Sequence, residues 1–289
     1  MTEPEVQVLP LNGVELALQG YGDPADPAVL LMGGAATSMD FWPPELCHRI
    51  ADAGRYVVRY DFRDTGQSTT YGADGATYTP TDLVADAIAI LDHLQLPKAH
   101  LVGMSMGGVL AQLAAVTYPD RVSTLTLIAT TLALPGAVER DLPEMSAADR
   151  EAFAQLPAPD WSDLSSTIDY LLEQERLCAA RSVPFDAAHM RAILETTVAR
   201  TAEPEAMENH FQLGEGPVGS HRLADIVAPT LVVHGDEDPL FPLAHGQALA
   251  EEIPGARLMV ISRLGHEIPL RIWDDLVVAV VRHTAQPGL

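Results

Sequence analysis

The sequence predicts an α/β fold, with a mostly parallel sheet of eight strands, helices on both faces and an inserted helical subdomain. Short β-rich runs alternate with helical patterns over most of the 289 residues, which is typical of repeated β-α-β units. Several of these runs are continuously apolar, as expected for strands that are covered on both faces. The alternation stops once, between residues 132 and 221, where only helical patterns occur.

The first half of the chain contains the opening strands. The runs VQVLPL and VELALQG are predicted strands joined by the Asn-Gly turn at residues 12–13. PAVLLM is a buried parallel strand, and RYVVRYD is the next one, after a helix that begins at the proline pair 43–44. A helix over residues 79–94 has one apolar face, with Thr81 as its expected N-cap.

The remaining elements continue the same alternation. AHLVG is a strand, GGVLAQLAAVTYP is a helix that Pro119 ends, and VSTLTLIAT is the next strand. Helical patterns follow in TIDYLLEQERLCAA and DAAHMRAILETTVAR. The chain then returns to a strand in PTLVVHG, a helix at residues 244–252, a strand in ARLMVIS and a closing amphipathic helix over residues 272–283.

The helical region interrupts one sheet and does not separate two independent domains. We therefore predict a single core formed by residues 1–131 and 222–289. Residues 132–221 are predicted to form a helical cap, or lid, inserted into that core.

The charge balance limits the possible partners. The chain has 17 Lys and Arg against 40 Asp and Glu, a formal net charge of −23, which argues against nucleic acid and anionic membranes as partners. The acidity is interpreted mainly as a hydrated surface, with steering of cationic substrates as the alternative. Cys47 and Cys178 lie in helical segments and are predicted to be free thiols, because nothing suggests a disulfide framework or a Cys-His metal site.

The N-terminal sequence MTEPEVQVLPLNG lacks the basic region and apolar core of a secretory signal. No apolar run approaches the roughly 18 residues that a membrane span requires. These observations favour a cytoplasmic protein. They leave its oligomeric state open.

The motif GMSMG at residues 103–107 places Ser105 between a predicted strand and a predicted helix. A G-x-S-x-G motif alone is common by chance, but a strand before it and a helix after it are typical of a nucleophile elbow. The N-terminal N–H groups of that helix favour an oxyanion nearby. Ser105 is the candidate nucleophile, and a small residue in a tight turn is the alternative.

A serine nucleophile requires a histidine base that a carboxylate orients. Among ten histidines, His266 in RLGHEIP directly follows a predicted parallel strand and should reach the same sheet edge as Ser105. The loop after the preceding strand contains Asp238, the preferred acid, and Asp236, the alternative. His234 in that segment is interpreted as a structural residue at the strand end.

Two backbone N–H groups are needed to stabilise a tetrahedral oxyanion. The N–H of Met106 follows the nucleophile directly, and Gly34 lies in the loop after the third strand. The alternative for the glycine pair at 33–34 is a simple strand-end turn.

With these motifs in order, the chain resembles the α/β-hydrolase superfamily over essentially its full length. The segments GDPADPAVLLMGG, VVRYDFRDTGQSTT, GMSMGG and AEPEAMENHFQL are similar to the aclacinomycin methylesterases, which hydrolyse the methyl ester of an anthracycline. This resemblance implies Ser105 as nucleophile, Asp238 as acid, His266 as base, and Gly34 and Met106 as oxyanion donors.

Two segments depart from the wider superfamily. Met32 precedes Gly33 where many members have histidine, a change that the methylesterase pattern shares. Asp64 and Thr65 replace a common Arg-Gly pair. The acidic and basic residues of this second segment are interpreted as a structural hydrogen-bonded turn: Asp61, Arg63 and Asp64.

The predicted function is a cofactor-independent, metal-free serine esterase that acts on small-molecule carboxylic esters, including methyl esters of bulky polyketide-type acids. Perhydrolase, lactonase or aminopeptidase chemistry at the same triad, and a non-catalytic ligand receptor, are the alternatives. Aromatic residues of the cap are candidates for lining an apolar substrate pocket, with helix packing as the competing interpretation: Trp161, Tyr170, Phe185 and Phe211.

Overall fold

The structure is a computed structural model that describes residues 3–72, 75–138, 140–214 and 220–285. All eight predicted strands form, and they join one sheet in the order β1-β2-β4-β3-β5-β6-β7-β8. The strands are β1 (Gln7–Leu11), β2 (Val14–Tyr21), β3 (Ala28–Met32), β4 (Tyr56–Tyr60), β5 (Ala99–Met104), β6 (Val122–Ile128), β7 (Thr230–Gly235) and β8 (Arg257–Ile261).

Most of the sheet is parallel, as predicted. Strand β2 pairs antiparallel with both β1 and β4. The remaining five pairings, from β4 through β3 and β5 to β8, are parallel. Because parallel strands end at the same edge, the loops after β3, β5, β7 and β8 meet at one side of the sheet.

Within the described residues, five helices cover the two faces of this sheet and three more form between β6 and β7. They are α1 (Pro44–Ala51), α2 (Pro80–His93), α3 (Met106–Thr117), α4 (Ala147–Ala154), α5 (Leu164–Cys178), α6 (Ala187–Arg200), α7 (Ala244–Glu252) and α8 (Trp273–Thr284).

The alternation of side chains along the strands assigns five of these helices to the two faces of the sheet. Leu30 and Leu101 belong to a buried cluster with side chains of α2, α3 and α7. Their neighbours Val29 and Val102 belong to a second cluster with side chains of α1 and α8. Successive strand residues point to opposite faces, so β3 and the middle of β5 carry apolar side chains toward both faces.

The start of α2 differs from the prediction. The N-cap is Thr79, and its backbone N–H donates to the Asp82 carboxylate at 2.8 Å. Pro80 occupies the first helical position, where its missing N–H costs nothing. Thr81 therefore lies inside the first turn and does not cap the helix.

Between β6 and β7 the chain forms α4, α5, α6 and a 3-10 stretch, Pro204–Gln212. We call these four elements the insertion. Residues 139 and 215–219, which belong to the predicted cap, lie outside the described residues. The insertion has a small apolar cluster of its own, formed by Leu171, Leu172, Leu194, Val198 and Met207.

Candidate active site

Ser105 forms the turn between β5, which ends at Met104, and α3, which begins at Met106. Its φ of 51° and ψ of −118° lie in a region that costs a non-glycine residue on the order of 1–3 kcal/mol. Two hydrogen bonds hold this conformation. The Ser105 N–H donates to the Ile128 carbonyl at 2.9 Å, and Thr130 Oγ1 donates to the Ser105 carbonyl at 2.7 Å.

The glycines around Ser105 are required by close backbone approach. A Cβ atom at Gly103 would overlap the Gly107 carbonyl, and one at Gly107 would overlap the Met32 carbonyl. Strand β5, helix α3 and the end of β3 therefore pack without intervening side chains. This packing brings the loop after β3 next to Ser105.

His266 and Asp238 lie in the loops after β8 and β7. His266 Nδ1 is 2.9 Å from Asp238 Oδ2, and Asp238 Oδ1 accepts from the N–H groups of Leu240 and Phe241, both at 2.9 Å. An ionised carboxylate only accepts hydrogen bonds. The shared proton is therefore on His266 Nδ1, so in the neutral imidazole the lone pair is on Nε2.

The electrostatics of this pair favour the ionised acid. Burial alone would raise the pKa of the Asp238 carboxyl, but the charge and hydrogen bond of His266 and the N–H of Phe241 lower it below its ordinary value. The backbone of the base is also anchored, because the His266 N–H donates to the Cys178 carbonyl at 2.8 Å.

The two competing residues of the β7 loop have other partners. Asp236 is exposed and accepts from Ser262 Oγ at 3.0 Å and from the Arg263 N–H at 2.6 Å. His234 is buried, and its Nε2 donates to the Phe241 carbonyl at 2.7 Å. Burial lowers the pKa of His234, so its ring is neutral. The structure thus brings Asp238, and not Asp236, to His266.

Backbone donors lie beside the serine. Gly107 at the start of α3 donates its N–H to the Gly33 carbonyl at 2.9 Å, whereas the Met106 N–H has no acceptor within the described residues. A Cβ atom at Gly34 would lie 3.6 Å from the Ser105 Cβ, so the Gly34 backbone is in van der Waals reach of the serine. The structure therefore places the backbones of Gly34 and Met106, the two residues predicted to supply oxyanion donors, next to Ser105.

Ser105, His266 and Gly34 line one cavity of about 380 Å³. The insertion forms much of the wall opposite the sheet edge. The cavity is largely apolar, with side chains from the core loops and from the insertion: Phe41, Trp42, Met104, Met145, Phe153, Leu171, Leu194, Phe211, Leu240 and Ile268.

The sequence profile of the alpha/beta hydrolase fold family matches residues 27–270. The chain belongs to this family. The matched range includes Ser105, Asp238 and His266, and it confirms the fold predicted from the sequence.

Individual α/β hydrolases with a similar sequence include two methylesterases. The rhodomycin D methylesterase DauP of Streptomyces sp. strain C5 is 36% identical, with coverage of 94% of this chain and 95% of that protein. The rhodomycin D methylesterase DnrP of Streptomyces peucetius is 35% identical, with the same coverage of both chains. These matches confirm the predicted resemblance to methylesterases.

Solved structures share the fold. A hydrolase from Pseudomonas aeruginosa PA01 superposes with a TM-score of 0.72 at 25% identity, covering 98% of this chain and 99% of that chain. The enol-lactonase from Burkholderia xenovorans LB400 superposes with a TM-score of 0.70 at 22% identity, covering 97% and 100%. At this identity the enol-lactonase shows the fold alone.

Of the four aromatic residues predicted to line the substrate pocket of this hydrolase, two line a cavity and two do not. Phe211 lines the cavity, and Phe185 lines a smaller cavity beside it. The structure does not bring Trp161 and Tyr170 to the cavity lining. Their rings instead pack edge to face with centroids 5.6 Å apart. The prediction for these two residues is wrong because aromatic content alone does not reveal which way a side chain points.

Sequence reasoning missed several polar residues of the cavity, above all Glu175 and Cys178 of α5 and Glu208 of the 3-10 stretch. Burial raises the pKa of Glu175 to about 7; nearby His266 partly offsets this effect, and Glu267 adds to it. A signal was available, because Leu171, Glu175 and Cys178 recur at intervals of four and three residues and so share one helix face.

Other predicted features have simple outcomes. Cys47 and Cys178 are both free thiols, as predicted. In the parts of the chain that the structure describes, no group of three His, Cys, Asp or Glu side chains is arranged to hold a metal ion. No helix there combines the length and the apolar character needed to cross a membrane.

Proposed function

We propose that the protein is a serine esterase that hydrolyses methyl esters of bulky, apolar carboxylic acids through an acyl-enzyme on Ser105. The observation that carries the proposal is the 2.9 Å hydrogen bond between Asp238 and His266 at a cavity that Ser105 also lines. The family and its methylesterase relatives support ester hydrolysis.

In the first half of the reaction, His266 Nε2 removes the proton of the Ser105 hydroxyl as Oγ attacks the ester carbonyl carbon. Asp238 keeps the proton on Nδ1 and stabilises the imidazolium that forms. The N–H groups of Gly34 and Met106 donate to the oxyanion of the tetrahedral intermediate. The imidazolium then protonates the leaving alkoxide, and methanol departs.

In the second half, His266 removes a proton from water, and the hydroxide attacks the acyl carbon. The second tetrahedral intermediate collapses, and Ser105 Oγ leaves with the proton from His266. The carboxylic acid product is released. The Ser105 proton leaves with methanol, and a proton from water replaces it, so Ser105 and His266 end in their starting protonation states without a cofactor.

The preference for a bulky acid rests on the cavity and on the relatives. Ten large apolar side chains line its walls, and such a lining favours an apolar acyl group over a charged one. A methyl group as the alcohol portion is the substrate type that the names of the rhodomycin D methylesterases suggest.

The insertion is proposed to act as the cap of this site. In this proposal residues 1–131 and 222–289 supply the reacting groups, and residues 132–221 supply the wall that selects the acyl group. The contribution of α5 and the 3-10 stretch to the cavity supports this division.

The test is a Ser105→Ala variant assayed on aryl acetates and on a series of methyl esters, with Ser162→Ala, an exposed serine, as control. We expect a loss of kcat of roughly 10⁴- to 10⁶-fold for Ser105→Ala and no loss for the control. A fluorophosphonate should label Ser105. Full activity of Ser105→Ala, or labelling of a different residue, would refute the proposal.

A further inference from the structure

His210, in the 3-10 stretch of the insertion, contacts the loop that contains Gly34. The side chain is 5% exposed. The Ala36 N–H donates to His210 Nδ1 at 3.0 Å, although the two residues are 174 positions apart, and His210 Nε2 lies 2.8 Å from the Arg63 carbonyl. Both ring nitrogens are therefore engaged by backbone groups of the core.

These partners determine the proton positions on the ring. A backbone N–H only donates and a carbonyl only accepts, so Nδ1 must carry the lone pair and Nε2 must carry the proton. Burial lowers the pKa of His210, which keeps the ring neutral and Nδ1 available as an acceptor.

The loop that His210 contacts needs support. Ala36 has a φ of 55°, a left-handed conformation that is costly for a residue with a Cβ atom. Thr37 Oγ1 donates to the Gly34 carbonyl at 2.9 Å and fixes one side of the peptide next to it. The hydrogen bond to His210 fixes the loop two residues after Gly34.

We propose that His210 is a positioning residue: by accepting the Ala36 N–H, it holds the Gly34 loop so that the Gly34 N–H points at the oxyanion on Ser105. This inference rests on the proposed function. It means that one oxyanion donor is correctly placed only when the insertion is seated on the core.

The neighbouring residue offers a matched control. Asn209 Nδ2 donates to Asp64 Oδ2 at 3.0 Å and to the Gly72 carbonyl at 2.7 Å. It attaches the same 3-10 stretch to the core but has no hydrogen bond to the Gly34 loop. Loss of Asn209 should therefore weaken the attachment without disturbing the oxyanion donor.

Two conservative variants separate the roles of the ring nitrogens. In His210→Asn the amide oxygen occupies the place of Nδ1 and can still accept the Ala36 N–H. In His210→Gln the amide occupies the place of Nε2, so it can donate to the Arg63 carbonyl and leaves the Ala36 N–H without an acceptor.

The experiment measures kcat, KM and Tm for His210→Asn, His210→Gln and Asn209→Ala, with kcat calculated per site titrated by fluorophosphonate so that unfolded molecules do not count. We expect a lower Tm than that of the wild type for all three variants. His210→Gln should lose about 10- to 100-fold in kcat with KM changed less than about threefold, because misplaced oxyanion donors cost rate and not binding. His210→Asn and Asn209→Ala should keep kcat within about threefold.

Equal kcat in His210→Gln and His210→Asn, or a loss of kcat in Asn209→Ala as large as in His210→Gln, would overturn the positioning role. Ser105→Ala in the same assay keeps the two proposals apart. If Ser105→Ala is inactive and His210→Gln is fully active, only the positioning role fails. If Ser105→Ala is active, the serine mechanism itself fails.

Discussion

The interactions that stabilise the sheet core differ from those that attach the insertion to it. Five parallel pairings and two large apolar clusters stabilise the core, and its central strands, β3 to β7, are buried on both faces. The insertion has five buried residues in its own apolar cluster, against which Phe41 of the core packs. Buried or half-buried polar contacts also attach it to the core, among them Arg200 with Asp61 and Asn209 with Asp64. The core is therefore encoded by local apolar patterns, whereas the attachment of the insertion is encoded by pairs of residues far apart in sequence.

The strongest of these pairs joins α6 to the loop after β4. Arg200 Nη2 lies 2.6 Å from Asp61 Oδ2, and the Asp61 side chain is fully buried. Asp61 also accepts from the N–H groups of Met39 and Gln67, at 2.8 and 3.0 Å. One carboxylate thus organises two core loops and one helix of the insertion.

The largest predicted effect concerns the core side of the comparison. Asp238→Asn should lower kcat by about 10⁴-fold with little change in Tm, because an amide can hold the wrong tautomer of His266. Steady-state kinetics and circular dichroism would measure both quantities. Asp236→Asn is the matched control, and we expect it to stay within about twofold of wild type. A larger loss for Asp236→Asn would reverse our assignment of the acid.

The second-largest effect is expected when the attachment of the insertion to the core is removed by substitution. Arg200→Met leaves Asp61 buried without its cation, which should lower the free energy of unfolding by about 3–5 kcal/mol. Arg191→Met on the same helix removes an exposed pair with Asp169 and should cost under about 1 kcal/mol. Urea unfolding of both variants measures the difference, and similar costs would show that the attachment does not depend on the buried pair.

The pH dependence of Arg200→Met sharpens this prediction. Burial already raises the pKa of Asp61, in spite of Arg200 and the two N–H donors. Without Arg200 that pKa rises further, so the folded state holds a proton that the unfolded state releases. The destabilisation should therefore be smaller at pH 5 than at pH 8. An equal cost at both pH values would mean that Asp61 is not the group affected.

The smallest predicted effect concerns the cavity between the two regions. The pKa of Glu175 is about 7 in the folded protein and near its ordinary value of 4.5 when unfolded, so this group destabilises the fold increasingly as pH rises from about 5 to 8. Glu175→Gln removes the penalty. Its Tm relative to wild type should rise by about 2–5 °C over this interval.

Thermal unfolding at several pH values tests the prediction for Glu175. Glu173→Gln, an exposed glutamate of the same helix, should show a Tm difference that does not change with pH. A pH-independent difference for Glu175→Gln as well would mean that the pKa of Glu175 is not raised in the folded protein.

The contrast between local apolar patterns in the core and long-range residue pairs at the insertion explains what could be predicted from the sequence. The strands were predicted because each is marked by its own apolar run. Ser105, Asp238 and His266 were proposed because each directly follows such a run, and parallel strands bring those positions to one edge. The sequence favoured Asp238 over Asp236 as the acid. The structure agrees with that preference, because the Asp236 carboxylate contacts Ser262 whereas the Asp238 carboxylate contacts His266.

The cavity wall could not be predicted in the same way. Which face of α5 meets the core depends on contacts such as the Ala180 N–H with Glu267, 87 residues apart. A sequence pattern records which residues share a helix face but not what that face meets. Tyr170 was therefore predicted as a pocket residue and Glu175 was missed, but of these two residues Glu175 lines the cavity.

The buried Asp61 carboxylate has a practical consequence for protein engineering. Substrate selectivity could be changed by grafting the insertion of another hydrolase onto this core. Cutting the chain at two loops is not sufficient for such a graft, because Asp61 belongs to the recipient core and the position of Arg200 belongs to the graft. A graft without a cation at this position would leave a charged group stranded in the interior. Chimeras should therefore transfer the pair together or replace both residues at once.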